Sequence, residues 1–103
     1  MKRFRLSFRP LAEADLFDLY RDIAEQAGVA IAGAYIDRIE AACLETFPER
    51  GTRRDDIRPG VRTMGFERRA TIVFQVRRSD VVIIRIFYGG QDFERILRGH
   101  AED

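Results

Sequence analysis

Cysteine, histidine and lysine are almost missing from this 103-residue chain: Cys43, His100 and Lys2 stand alone in their classes. One cysteine excludes an internal disulfide, and one cysteine with one histidine excludes an ordinary zinc site, so neither a metal nor a cofactor is expected. Long apolar runs are lacking too. Nothing approaches the roughly 20 residues of a membrane-spanning helix, and the opening MKRFRLSFRP has no continuous apolar centre of the secretory kind. The expected location is therefore cytoplasmic, with no membrane partner. An excess of charge of one sign is also absent: the formal net charge is +1, which creates no global field toward nucleic acid. With lysine nearly gone, the positive charge is carried by arginine, whose planar fork favours bidentate contacts to carboxylates or phosphates.

What is present fits one domain over residues 1–103. A chain of this size buries roughly two-thirds of its unfolded surface, enough for a core without staples, and 46% hydrophobic with 34% charged residues suits a folded globular protein. The segments 70–77 and 81–88 are rich in Val, Ile, Phe, Thr and Tyr and read as a β-hairpin around the polar break Arg78, Ser79 and Asp80. Alternation assigns Ile72, Phe74 and Val76 to one face of the first strand, and Thr71, Val73, Gln75 and Arg77 to the other. In the second strand Val82, Ile84, Ile86 and Tyr88 are expected on one face, with Val81, Ile83, Phe87 and the lone charge Arg85 on the other. A strand apolar on both sides points to a central position with its second face covered.

Ahead of the hairpin, Phe4, Leu6 and Phe8 alternate with Arg3, Arg5, Ser7 and Arg9 as a short strand joining the same sheet. Pro10 opens a helix running to about Ala27, with Ala12, Leu16, Leu19, Tyr20, Ile23 and Ala27 as its buried stripe. Glu13, Asp15, Asp18, Arg21, Asp22 and Glu25 form its wet side. Gly28 stops it. A second helix from about Ala30 to Phe47, stopped by Pro48, places Ala32, Tyr35, Ile36, Ile39, Cys43 and Phe47 toward the core, and so short a connection makes a helical hairpin. A polar, arginine-rich connection over 49–59 leads to a strand over 61–66. Gly89 and Gly90 break the final strand, and Phe93, Ile96 and Leu97 mark a closing helical turn. The order β-α-α-β-β-β defines an α+β domain with a helical hairpin packed on a mainly antiparallel sheet.

The candidate binding residues are mostly arginines. Between Arg50 and Arg69 seven of them face three acidic residues, a local net charge of +4. This cluster either contacts an acidic or phosphate-bearing partner or is bridged internally by Asp55 and Asp56. Arg62 and Arg85 either converge on one sheet face as an anion site or each pair with a carboxylate. Tyr88 reads as an amphipathic residue at the core's edge, Cys43 as buried packing, and His100 as a solvated tail residue. Asp92 is placed to cap the closing helical turn.

The stretches LSFRPLAEADLFDLYRDIAEQAG, AGAYIDRIEAACLETFPERG, RRDDIRPGVR, TIVFQVR and VVIIRIFYGGQDFERIL together resemble the RelE/ParE superfamily of type II toxins, and within it the ParE branch, over nearly the full length. The resemblance implies a small toxin that inhibits DNA gyrase by binding. A cognate ParD-like antitoxin would wrap and neutralise it, and operator DNA would be contacted only through that antitoxin. Arg58, Arg62, Arg85, Tyr88 and Asp92 are the expected target contacts, and Leu19, Tyr20, Tyr35, Arg54 and Arg69 the expected antitoxin contacts. RelE-like relatives cut ribosome-bound messenger RNA, and that is the alternative reading. Cleavage by a neighbouring 2′-hydroxyl needs a base, an acid and positive charge at the developing oxyanion. Arg62 and Arg85 could supply the charge, but arginine is too firmly protonated to serve as a base, so no catalytic residue is assigned. A third possibility is a toxin fold that has lost its toxicity and remains as an antitoxin-binding module.

Overall fold

The computed structural model of the chain describes residues 5–44, 51–89 and 93–99. The order is β1 (Arg5–Phe8), α1 (Pro10–Ala27), α2 (Val29–Leu44), β2 (Thr52–Arg53), β3 (Val61–Phe66), β4 (Ala70–Arg77), β5 (Asp80–Tyr88) and α3 (Phe93–Arg98). The five strands form one sheet in the order β1-β5-β4-β3-β2. All neighbours are antiparallel except β1 and β5, which pair in parallel from Arg5↔Asp80 to Phe8↔Ile83. This is the expected α+β architecture, with a two-residue edge strand and a closing helix added to the β-α-α-β-β-β core. The calls on Phe4, Phe47, Pro48, Asp92 and His100 lie outside the described residues.

Two helices cover one sheet face because a single residue joins them. Gly28 has φ 97°, a backbone region that side chains rarely tolerate; its N–H donates to the Ala24 carbonyl at 2.9 Å, and its own carbonyl accepts from Ala32 at 3.1 Å. The same peptide segment thus closes α1 and opens α2. Ala12, Leu19 and Ile23 of α1 and Ala32, Tyr35, Ile39 and Cys43 of α2 bury against Ala70, Ile72, Phe74, Val81, Ile83 and Ile86 of the sheet. Leu16, Tyr20 and Ile36 are only partly buried at the margin of this core. Ala27, expected in the buried stripe, is exposed, because the stripe has rotated into the interhelical turn by the last residue of α1.

The second sheet face carries its own smaller core of Val61, Val73, Ile84, Phe87 and Leu97, with Ile57 and Ile96 packed against it. This cover from α3 and the loop before β3 explains why β5 is apolar on both sides. A register shift between Val73 and Phe74 corrects the expected facing of β5: Val73 pairs with Arg85 while Phe74 pairs with Ile83, leaving Ile84 as the extra residue. A bulge of one residue reverses which side chains look inward. Val81 and Ile83 therefore join Ile86 and Tyr88 on the helix side, and Ile84 joins Phe87 on the other.

Gly51 sits where β2 begins, and a Cβ there would fall 2.6 Å from Phe74 Cζ and 2.8 Å from Cε1. Phe74 is fully buried and has nowhere to move. Gly51→Ala is expected to cost about 1–3 kcal/mol of overpacking, measured as a lower urea midpoint at unchanged slope.

Candidate target-binding surface

β1 stops at Phe8, so among the described residues β5 from Ile84 onward has no strand on that side. Asp15 of α1 fills the gap. Its Oδ2 accepts the Ile86 backbone N–H at 2.8 Å and Arg85 Nε at 2.8 Å, while Oδ1 accepts Arg85 Nη2 at 3.0 Å. Both side chains are largely buried, 14% and 13% exposed, which corrects the reading of Asp15 as a wet-side residue. An edge amide and a guanidinium, each costly to bury alone, satisfy one carboxylate between them. The Arg85 guanidinium also lies 4.7 Å from the Phe87 ring centroid.

This placement separates Arg85 from Arg62. Arg85 pairs across the sheet with Val73 of the small core, whereas Arg62 pairs with Phe74 of the helix-side core. Directly paired residues share a face, so the two arginines point to opposite sides and do not converge. Tyr88 is on the helix side with Arg62, but it pairs with Ala70, four residues along β4 from Phe74, or about 13 Å of strand. Tyr88 lines a groove of about 340 Å³ with Asp15, Asp18, Leu19, Asp22 and Ile86.

The arginine-rich loop is internally bridged. Arg54 holds Asp56 through both nitrogens at 3.0 and 2.9 Å and also reaches Glu94 of α3. Arg98 reaches the same Asp56 at 2.9 Å, and Arg53 pairs with Asp55 at 3.0 Å. The hydrogen bond from Arg54 brings the Asp56 carboxyl down to about 2, and hydrogen bonds to Asp56 and then Glu94 raise the Arg54 guanidinium. Asp55 is lowered first by the Gly60 N–H, which donates to its Oδ1 at 2.9 Å. These contacts tie the loop to α3 and hold the lid on the small core. Arg58 lies within this loop, half-buried.

A second ordered cluster joins α2 to the turn between β3 and β4. Arg38 donates to both Glu67 oxygens at 2.8 and 3.1 Å, and its guanidinium stands 5.3 Å from the Tyr35 ring centroid. The Tyr35 ring meets Phe66 and Tyr88 edge-on at 5.6 and 6.4 Å. Burial raises the Tyr35 hydroxyl, which has no hydrogen-bond partner among the described residues. Glu67 and Arg68 hold φ of 49° and 59°, so the turn presents Arg68 and Arg69 to solvent on a constrained backbone. Of the expected antitoxin contacts, Tyr20 is partly exposed and Arg69 exposed, while Leu19 and Tyr35 are core side chains, each 3% exposed. A partner would meet their exposed neighbours instead. Arg54 faces inward to its carboxylates. Cys43 is buried as expected, and desolvation pushes its thiol up to about 12. Asp15 is the structural side chain that periodicity placed on the wet face; the lone arginine of β5 signalled the need for a carboxylate but not which one.

This helical hairpin on a mainly antiparallel sheet is the fold of a small ParE-type toxin. The family model for the ParE toxin of type II toxin-antitoxin system, parDE, matches residues 6–93, and the chain belongs to that family. It is 39% identical over 83 residues to Toxin ParE3 of Caulobacter vibrioides, a match covering 79% of this chain and 81% of that protein. A solved structure described as the chromosomal ParDE TA system from P. aeruginosa superposes with a TM-score of 0.68 at 27% identity, covering 84% of this chain and 96% of that one.

Removing the Asp15 carboxylate strands a buried guanidinium and an edge amide. Asp15→Ala is expected to lose about 3 kcal/mol of unfolding free energy, read by urea titration, with a smaller loss for Asp15→Asn. The double variant Asp15→Leu/Arg85→Met should recover much of the loss, because it buries no uncompensated charge.

Proposed function

We propose that this ParE-type toxin acts by binding DNA gyrase, without chemistry of its own, and that a cognate ParD-like antitoxin neutralises it. Family membership supports the class. The observation that carries the binding mechanism is the division of Arg62 and Arg85 between opposite sheet faces, with Arg85 engaged by Asp15. A ribonuclease site built from Arg62, Arg85 and Tyr88 would need them around one phosphate, and the strand register holds them apart.

Target contact is assigned to Arg58 in the loop before β3, Arg62 on the helix-side face of β3 and Tyr88 at the end of β5, with Asp92 following in the chain. Arg85, engaged by Asp15, holds β5 against α1. The antitoxin is assigned to the outer side of the helical hairpin. There Phe17, Ile31 and Leu44 expose 64, 57 and 71% of their surface and suit the apolar side of an amphipathic segment. Tyr20, partly exposed on α1, and Arg69, exposed on the β3–β4 turn, are assigned as further antitoxin contacts. Arginines at the rim of this surface would speed association with an acidic antitoxin more than they would deepen affinity.

Purified toxin is expected to suppress supercoiling by gyrase from its own species, and added antitoxin to restore it. Arg62→Ala should weaken inhibition about tenfold or more while leaving the urea midpoint nearly unchanged. Undiminished supercoiling at excess toxin, together with site-specific cuts in translated messenger after induction, would replace this reading with the nuclease one.

A further inference from the structure

Charge in this protein is divided by layer. The helical hairpin carries seven carboxylates against two arginines, whereas the described residues outside it carry thirteen arginines against five carboxylates. A net charge near zero thus hides a dipole with the sheet and α3 at its positive end, and such a molecule turns that end toward a polyanion as it approaches.

At that end Arg53, Arg54, Arg85 and Arg98 are spent on carboxylates. The arginines of the β4–β5 turn are not. Arg5, Asp80 and Arg77 are paired directly across three neighbouring strands, so their side chains share one face. The two arginines stand about 10 Å apart, two strand spacings, with a single carboxylate between them. Asp80 is taken by Arg5, whose Nε donates to Oδ1 at 3.1 Å. Neutral groups aim Arg77: its Nε donates to Gln75 Oε1 at 3.2 Å, and Gln75 Nε2 donates to the Pro59 carbonyl at 3.2 Å. The terminal nitrogens of Arg77 have no ion pair among the described residues. Arg78 follows, exposed, with φ 53°, a left-handed position that glycine would occupy without strain.

An arginine held through its Nε beside a second at a constrained tip presents planar forks suited to phosphate oxygens. Contacts of that kind position a protein on a nucleic-acid backbone without reading its bases. The gyrase reading selects duplex DNA, because a supercoiling enzyme brings duplex DNA beside any protein bound to it. We propose that the β4–β5 turn, through Arg77 and Arg78 with Arg5 alongside, binds the phosphate backbone of the DNA held by gyrase, independently of base sequence. This rests on the gyrase reading above and adds to it a contact with the nucleic acid.

Fluorescence anisotropy of the full-length toxin with a labelled random-sequence duplex, across about 50 to 200 mM salt, tests the contact without gyrase. Binding is expected at the low salt, with a slope of log K against log salt of about −2 to −3 for two or three neutralised phosphates. Arg77→Ala and Arg78→Gly should each flatten the slope by about 1 and weaken low-salt binding about tenfold, whereas Arg21→Ala on the hairpin should change neither. Arg78→Gly relieves the left-handed strain, so its urea midpoint should not fall and its lost binding is not lost folding. The same two turn variants should inhibit supercoiling less than the wild type. Inhibition by a toxin that binds no duplex at low salt would overturn the DNA contact and leave the gyrase reading standing. Duplex binding with these variant effects but undiminished supercoiling would keep the DNA-binding turn and overturn the gyrase reading. Equal slopes for the wild type and both turn variants, or tighter binding to a single-stranded RNA of the same length, would refute the proposal.

Discussion

One carboxylate holds the two layers of this protein together. Asp15 belongs to the first helix, yet its oxygens are spent on the last strand, where they take an edge amide and a guanidinium that would otherwise be buried without partners. A strand that ends early leaves such groups behind, and the usual remedy is another strand or water. Here the chain turns into a helix at the point where the strand stops, and the second turn of that helix delivers the missing acceptor. The arginine is held over a neighbouring aromatic ring, so its charge serves the joint between helix and sheet.

The rest of the molecule repeats this solution at smaller scale. The loop before β3 carries more guanidinium groups than its length can keep apart, and Asp55, Asp56 and Glu94 collect those of Arg53 and Arg54. The surface that remains is therefore less basic than the run of arginines suggests. What stays open to a partner lies elsewhere: on the outer side of the helical hairpin, at the constrained turn bearing Arg68 and Arg69, and at the turn bearing Arg77 and Arg78. Under the binding mechanism proposed above, firm presentation matters more than perturbed acids and bases, and a sheet with both faces covered provides it.

Much of this was legible in the chain. Periods of 3.6 and 2 located both long helices and the three main strands, because most apolar positions serve one core. Arg85 stood out as a single charge in an apolar strand. Its consequence did not, since Asp15 occupies a polar helical stripe and resembles any solvated aspartate there. The bulge at Ile84 left no trace in composition, because nearly every residue around it is apolar and either facing looks plausible. The two-residue strand Thr52–Arg53 is exposed throughout and carries no periodic signal. Separation of Arg62 from Arg85 followed from register, which depends on pairing across the sheet and not on spacing along the chain.

The parallel pairing of the first strand with the last imposes an order on synthesis. Residues 5–8 cannot find their neighbour until residues 80–83 have emerged from the ribosome, whereas the helical hairpin and the strand hairpins close over short loops. A nascent chain thus carries an unanchored first helix, with its aspartate still facing water, until the last strand has emerged. The joint between helix and sheet therefore closes after the helical hairpin has made its own contacts, and a carboxylate synthesised 71 residues earlier waits for the edge amide of the last strand.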